Sequence, residues 1–340
     1  MLTYPGRNLR VFLDALKRLG YNLPSLINSA GLSRFDLEDP DIRVPCEAFG
    51  ALFGRVMQER PLKNLGVRMA AHTAVGAFPL LDYLVVTSNS VGEGVKQLAH
   101  YFRLVGTPTH LDIRDDEDPI RVVVWAGNDA SLAVEFTVSL TVLNLRQETD
   151  QQLSPEWVAF AHTPDDVAEI ERLLGCPVRA ASPWSGLALS AAAWQLPFRR
   201  RDPVLRALLE RQANEIIARL PAQNGVALEV RRALAKRIAG GDTRINSVAR
   251  DLATTARTLQ RRLADAGFSY QDLVELTRRE AAEKYLADCS LTIAEVAYLL
   301  GYSEPSALHR AFKRWNHTTP QLFRQRQQAE TLRGAKKISQ

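Results

Sequence analysis

Two short runs near the C-terminus of this 340-residue chain carry hydrogen-bonding side chains at helical spacing. In the first, Arg257, Gln260, Arg261 and Ala264 form one stripe, and Leu259, Leu263 and Ala266 the opposite one. In the second, Ser306, His309, Arg310 and Lys313 share a face, and Leu308, Phe312 and Trp315 face away from it. An arginine fork pairs with guanine and a glutamine amide with adenine in the major groove. Such a stripe on a helix anchored by apolar residues is suited to reading base edges of duplex DNA. An ordinary solvated face would look the same for either helix alone. The matched pair favours the DNA reading.

The elements that must position these stripes repeat as well. Val248-Ala249-Arg250-Asp251-Leu252 leads into a turn at Ala253-Thr254-Thr255 and then into the first stripe. Val296-Ala297-Tyr298-Leu299-Leu300 leads into a turn at Gly301-Tyr302-Ser303 and then into the second. Val248 and Val296 lie 48 positions apart, so a helix-turn-helix unit occurs twice. Thr292-Ile293-Ala294-Glu295 reads as a capping box. Ser303 can cap the following helix, and Pro305 fits its first turn. Gly301 suits a positive φ, whereas Ala253 at the equivalent position would carry strain there. Free N–H groups near Thr292 suit a phosphate, and Arg262, Lys313 and Arg314 are further phosphate candidates.

Charge is divided along the chain. Residues 226–340 hold 20 Lys and Arg against 12 Asp and Glu, net +8, and the remainder is net −3. A basic C-terminal part behind a nearly neutral body is the electrostatic footprint of a tethered nucleic-acid module. The segment 221–225, Pro-Ala-Gln-Asn-Gly, reads as a linker. The expected organisation is a body at 1–200, a helix and linker at 201–225, a DNA-binding part at 226–326 and a basic tail at 327–340.

Other chemistry finds little support. Cys46, Cys176 and Cys289 are far apart and show no metal-ligand spacing. Their sparse, odd number suggests a reducing compartment, and a small buried hydrophobe is the favoured role of each. No secretory signal is visible, and the apolar stretch 132–145 is short for a bilayer and contains Glu135. A cytoplasmic protein without membrane segment, metal or cofactor is expected. His72, His100, His110 and His162 are scattered, and no HExxH, GxSxG or phosphate loop is present, so no enzyme is expected. The run Asp115-Asp116-Glu117-Asp118 reads as a hairpin turn and not a calcium loop.

The body reads as mixed α and β. Helices are expected at 8–19, from Val44-Pro45 through Val56, at 90–103, 132–146, 164–174 and 203–220. Strands are expected at 109–114, 120–126, 157–161 and 187–189. Tyr83, His100, Tyr101, Arg103 and Trp125 combine aromatic and polar chemistry that could line a small-molecule pocket.

With these residues in view, 226–326 resembles the DNA-binding domain of the AraC/XylS family of bacterial transcription regulators. The resemblance rests on the two helix-turn-helix runs, on Gly267-Phe268-Ser269-Tyr270, on Ala311-Phe312-Lys313-Arg314-Trp315 and on Thr319-Pro320. It implies an all-α domain with two units joined by a long helix, here 270–287. It also places base reading on Arg257, Gln260 and Arg261, then on Ser306, His309 and Arg310. Ala253 and His317 depart from the family's usual glycines.

The body is similar to the arabinose-binding-like sensor domain of the ornithine- and virulence-activator group of that family. Matching runs include Asp39-Pro40-Asp41-Ile42-Arg43-Val44-Pro45, Asn64-Leu65-Gly66-Val67-Arg68 and Gly175-Cys176-Pro177-Val178. The family's Gly-rich segment is altered here to Val75-Gly76-Ala77-Phe78-Pro79-Leu80-Leu81-Asp82. The resemblance implies an α+β sensor and dimerisation domain, a small-molecule effector, double-stranded DNA and RNA polymerase as partners, a homodimer, and activation. Two other classes are open: a DNA-repair or modifying protein delivering a reactive cysteine, and a ligand-independent architectural DNA binder. No cysteine has a flanking basic cluster to lower its pKa, and the body is larger than an architectural protein needs.

Overall fold

A computed structural model describes residues 3–325, apart from 38, 40, 41, 107, 108, 127–130, 220–225, 266, 267, 288–290 and 317. The expected linker, the tail, Ala266, Gly267, Cys289 and His317 therefore lie outside the described residues, as does the side chain of Cys46. The chain divides into two compact units, Met1–Pro221 and Ala222–Gln340.

The first unit is organised around one helix, Ser131–Glu148. Its apolar residues run around nearly the whole circumference, so it can only be stable inside. Val134, Phe136, Val138, Leu140, Val142 and Leu145 are buried. It packs on the Leu65–Ala71 helix and on strands Ile120–Trp125 and Ser185–Leu189. Gly66 permits the first crossing, because a Cβ there would lie 2.5 Å from the Leu132 carbonyl oxygen and 2.7 Å from Glu135 Cβ.

The sheet has five strands in the order His110–Arg114, Ile120–Trp125, Ser185–Leu189, Trp157–Ala159, Val178–Arg179. All neighbours are antiparallel except the last pair. The hairpin register pairs His110 with Trp125 and Arg114 with Arg121, which leaves the acidic run as its turn. Asp115 pairs with Lys96 at 2.7 Å and Glu117 with Arg121 at 2.6 Å. Among the described residues no group of His, Cys, Asp and Glu could hold a metal.

Val44 and Pro45 do not open a helix. They belong to a short strand, Arg43–Pro45, antiparallel to Thr3–Pro5, and the helix starts at Cys46. Burial of Tyr4 and Val44 rewards this pairing, a long-range effect that local pattern does not carry. The helices Leu23–Ser29, Leu65–Ala71 and Pro79–Val86 were not expected, being too short to display a clear period. Pro203–Arg219 packs on Pro79–Val86 and on the 3-10 turn Phe102–Val105, so it belongs to the first unit. Tyr101 Oη donates to Asn214 Oδ1 at 3.1 Å and Gln97 Nε2 to Glu210 Oε1 at 2.9 Å. No helix among the described residues is long and apolar enough to cross a membrane.

The second unit is all helical: Val226–Arg237, Ile245–Asp251, Ala256–Asp265, Tyr270–Ala287, Ile293–Leu299 and Pro305–Asn316. It holds two small cores, one around Val248, Leu259 and Leu263 and one around Val296, Leu308 and Phe312. Tyr270–Ala287 serves both, with Leu273 in the first and Ala282 and Leu286 in the second. At 18 residues it is about 27 Å long and runs as a strut through both repeats.

Candidate nucleic-acid interface and interior cavity

The two turns are made by the same backbone bonds. Leu252, Ala253 and Thr254 donate to the carbonyls of Val248, Arg250 and Ala249 at 3.1, 3.1 and 2.9 Å. Leu300, Gly301 and Tyr302 donate to Val296, Tyr298 and Ala297 at 3.1, 2.9 and 3.0 Å. Each pair of atoms in the second turn lies 48 positions after its counterpart in the first. The residue at the apex is left-handed in both, with φ 49° at Ala253 and 78° at Gly301. Ala253 is thus strained as expected, at about 1–2 kcal/mol for an L-residue, but its side chain is exposed. Gly301 is constrained twice, since a Cβ there would lie 3.0 Å from Gly241 Cα and 3.0 Å from Gly241 O.

Caps set where the reading helices begin. Thr255 Oγ1 accepts from Thr258 N at 3.2 Å and starts Ala256–Asp265. This cap was missed in the sequence, although a Thr ahead of an amphipathic run is its usual signal. Pro305 opens the second reading helix. The capping box at Thr292 is present: Thr292 N donates to Glu295 Oε2 at 2.7 Å, and Glu295 N to Thr292 Oγ1 at 3.2 Å. Hydrogen bonds to its carboxyl from the Thr292 backbone N–H and side chain hold Glu295 below the usual glutamate range.

Leu259, Leu263, Leu308, Phe312 and Trp315 are buried, which turns the opposite stripes outward. Arg257, Gln260, Arg261, Ser306, Arg310 and Lys313 are exposed, and His309 is half-buried. Gln260 and Arg310 line one open groove between the two reading helices, floored by Tyr270, Val274 and Arg278 of the strut. The candidate phosphate residues divide. Lys313 is exposed. Arg262 lies 4.0 Å from Glu229. Arg314 is paired with Glu275, which also accepts from Trp315 Nε1 at 2.7 Å. Burial pushes Glu275 up, but the bonds from Trp315 and Arg314 outweigh it and leave the carboxyl below its ordinary range. In the first repeat, Arg244 and Ser247 hold Asp242 well below the usual carboxylate range, and Arg237 bridges Asp242 and Asp251.

The first unit contains a partly open apolar cavity of about 90 Å³. Phe12, Phe49, Phe78, Phe102 and Phe136 form much of the wall, with Leu81, Val85 and Leu140. Phe12 sits centrally, tilted against Phe136 at 4.7 Å between ring centroids and edge-to-face with Phe49 at 5.4 Å. Asp82, only 8% exposed, is part of the same wall. Its Oδ2 accepts from Gly76 N at 2.8 Å and from Phe78 N at 3.0 Å. Burial pushes the carboxyl up to about 6, and the two backbone bonds oppose only part of that. The altered segment Val75 to Asp82 therefore supplies both wall and carboxylate.

The five residues read as pocket candidates are not brought together. Trp125 is buried in the sheet, Tyr101 is tied to Asn214, His100 is exposed and Arg103 half-buried. Tyr83 lines a separate groove with Arg7, Leu209 and Ile216. None of the five lines the phenylalanine cavity. Mixed aromatic and polar types do not lead to this cavity, which is lined by the apolar helix Ser131–Glu148 and by residues of Gly6–Arg18, Cys46–Glu59, Pro79–Val86, Val91–Tyr101 and Phe102–Val105. Burial pushes the Cys176 thiol up to about 11, so it stays protonated at neutral pH and is no nucleophile.

A sheet-containing sensor-like unit and a two-repeat helical unit with outward hydrogen-bonding stripes fit a DNA-binding transcription regulator. Residues 20–198 match the N-terminal arabinose-binding domain of AraC transcription regulators, and 248–326 match a helix-turn-helix domain. The chain belongs to the AraC family. It is 24% identical over 332 residues to the ornithine utilization regulator of Pseudomonas aeruginosa, spanning 94% of this chain and 96% of that protein. It is 26% identical over 333 residues to the HTH-type transcriptional regulator VirS of Mycobacterium tuberculosis, spanning 93% and 95%. The crystal structure of the transcriptional regulator CdpR from Pseudomonas aeruginosa aligns with TM-score 0.40 at 21% identity, over 90% of this chain and 98% of that one.

Proposed function

We propose that this regulator reads a DNA site with Arg257, Gln260 and Arg261 in one major-groove segment and Ser306, His309 and Arg310 in the next. The two segments lie about one helical turn, roughly 34 Å, apart. Lys313, Arg262 and Arg314 fix its register on phosphates, Arg314 after exchanging Glu275 for the DNA. Thr292 is the weakest of the phosphate contacts, since Glu295 already occupies its N–H. The observation that carries the reading is the pair of matching turns that turn two hydrogen-bonding stripes outward. The first unit senses a small molecule in the phenylalanine cavity and dimerises, and ligand binding biases how DNA is held. It acts in the cytoplasm as an activator that works with RNA polymerase, not as an enzyme. Footprinting of the full chain on its own promoter region tests this. Protection of two adjacent major-groove segments is expected, and uniform, sequence-indifferent protection would refute it.

A further inference from the structure

We infer that the phenylalanine cavity takes an apolar molecule carrying a single donating headgroup, an amine or a hydroxyl, which bonds to Asp82 Oδ1. The inference rests on the sensing reading above and adds the chemical class of the effector. Three observations carry it. The wall is dominated by aromatic and aliphatic carbon, so a ligand gains mainly from apolar burial. Among the described lining residues there is no Lys, Arg or His, so a carboxylate or phosphate would enter with no opposite charge beside it and a carboxylate already there. Asp82 is nine-tenths buried, and while its Oδ2 is held by Gly76 N and Phe78 N, its Oδ1 makes no hydrogen bond among the described residues.

The same wall argues against polar effectors. A sugar needs a partner for every hydroxyl, and a free amino acid needs a cation for its carboxylate. Beyond Asp82 the polar groups on the wall are Thr109, Thr137, Thr141 and Asn144. Thr141 Oγ1 is spent on the Thr137 carbonyl of its own helix at 2.7 Å. Too few donors and acceptors remain for a polyol. The donating headgroup completes a buried carboxylate that the fold leaves half-partnered.

The test uses the full chain and a matched probe series: 4-phenylbutylamine, 4-phenylbutanol and 4-phenylbutyrate, with L-arabinose and L-ornithine beside them. Calorimetric titration at neutral pH should show the amine binding tightest, the alcohol next, and the carboxylate about tenfold or more weaker than the amine. Arabinose and ornithine should not bind. Asp82→Asn keeps an acceptor for the two backbone N–H groups and should bring the amine down to the alcohol's affinity. The order on the unmodified chain decides the matter even if the variant folds poorly. A carboxylate bound as tightly as the amine, binding of ornithine or arabinose instead, or no binding of any phenylbutyl probe overturns the inference. The sensing reading is scored separately, with Leu140→Trp filling the cavity and promoter-reporter output followed across growth conditions. Loss of the parent's response in that variant supports sensing through the cavity whichever headgroup wins. An unchanged response overturns both.

Discussion

The two helix-turn-helix repeats share a backbone and differ in what holds it. In the first, the left-handed apex is Ala253, exposed, with strain confined to its own φ. In the second, the apex is Gly301, which touches Gly241 from the end of the first repeat's lead-in segment. The first repeat is tied by ion pairs of the half-buried Arg237 and Asp242 with each other and with Asp251 and Arg244. The second is tied to the strut through Glu275, Arg314 and Trp315. One apex answers only to local conformation and so tolerates the wrong residue. The other also answers to packing between repeats and so does not.

The sharpest way to break this comparison is Gly301→Val. The positive φ costs about 1–2 kcal/mol, and the approach of Gly241 adds overpacking of about 1–3 kcal/mol. The C-terminal unit should lose more than about 2 kcal/mol in denaturant titration. A loss no larger than the φ penalty would mean that the contact between repeats carries nothing.

Base reading comes next in size. Arg261→Ala and Arg310→Ala should each weaken the cognate site by about 1–3 kcal/mol and relax preference at one base pair. Gel-shift titration against cognate and scrambled duplexes measures both. An unchanged specific-to-random ratio in both variants would show that these helices do not read bases.

Capping separates the repeats more finely. Thr255→Ala should cost about 1 kcal/mol, and Thr292→Ala combined with Glu295→Ala, which removes both bonds of the box, should cost more. Equal thermal shifts in the two variants would deny the capping box any extra role. Ala253→Gly runs the other way and should stabilise by about 0.5 kcal/mol, the relief of φ strain less the entropy of an added glycine. A destabilised variant would place the strain elsewhere.

Acid is the gentlest probe. Asp242 and Glu275 have folded-state pKa values below their ordinary ones. Their contribution is therefore present above the unfolded pKa and lost as pH falls through the folded one. Asp242→Asn should flatten part of the acid limb of the stability profile. An acid limb identical to that of the parent would remove Asp242 from the account.

Much of the second unit was legible because its instructions are local. The strut is different: the family resemblance placed it at 270–287, and it spans Tyr270–Ala287. The capping box at Thr292 and the strain at Ala253 needed only neighbours in sequence. The first unit was legible in its longest elements, such as the apolar helix and the acidic hairpin, and opaque in its short ones. Val44 and Pro45 went to a strand because a partner forty residues away exists at Thr3–Pro5.

What the sequence determined by itself is whatever depends on period, cap and turn: two repeats, their outward stripes and the charge that draws them to DNA. What only tertiary structure decided is the cavity and its one half-partnered carboxylate. Phe12, Phe49, Phe78, Phe102 and Phe136 are spread over more than a hundred positions, and each alone is indistinguishable from ordinary core. A void is the space that packing leaves unfilled, and it exists only after distant helices have met. Asp82 looks like any first-turn acid until burial on that wall raises its pKa.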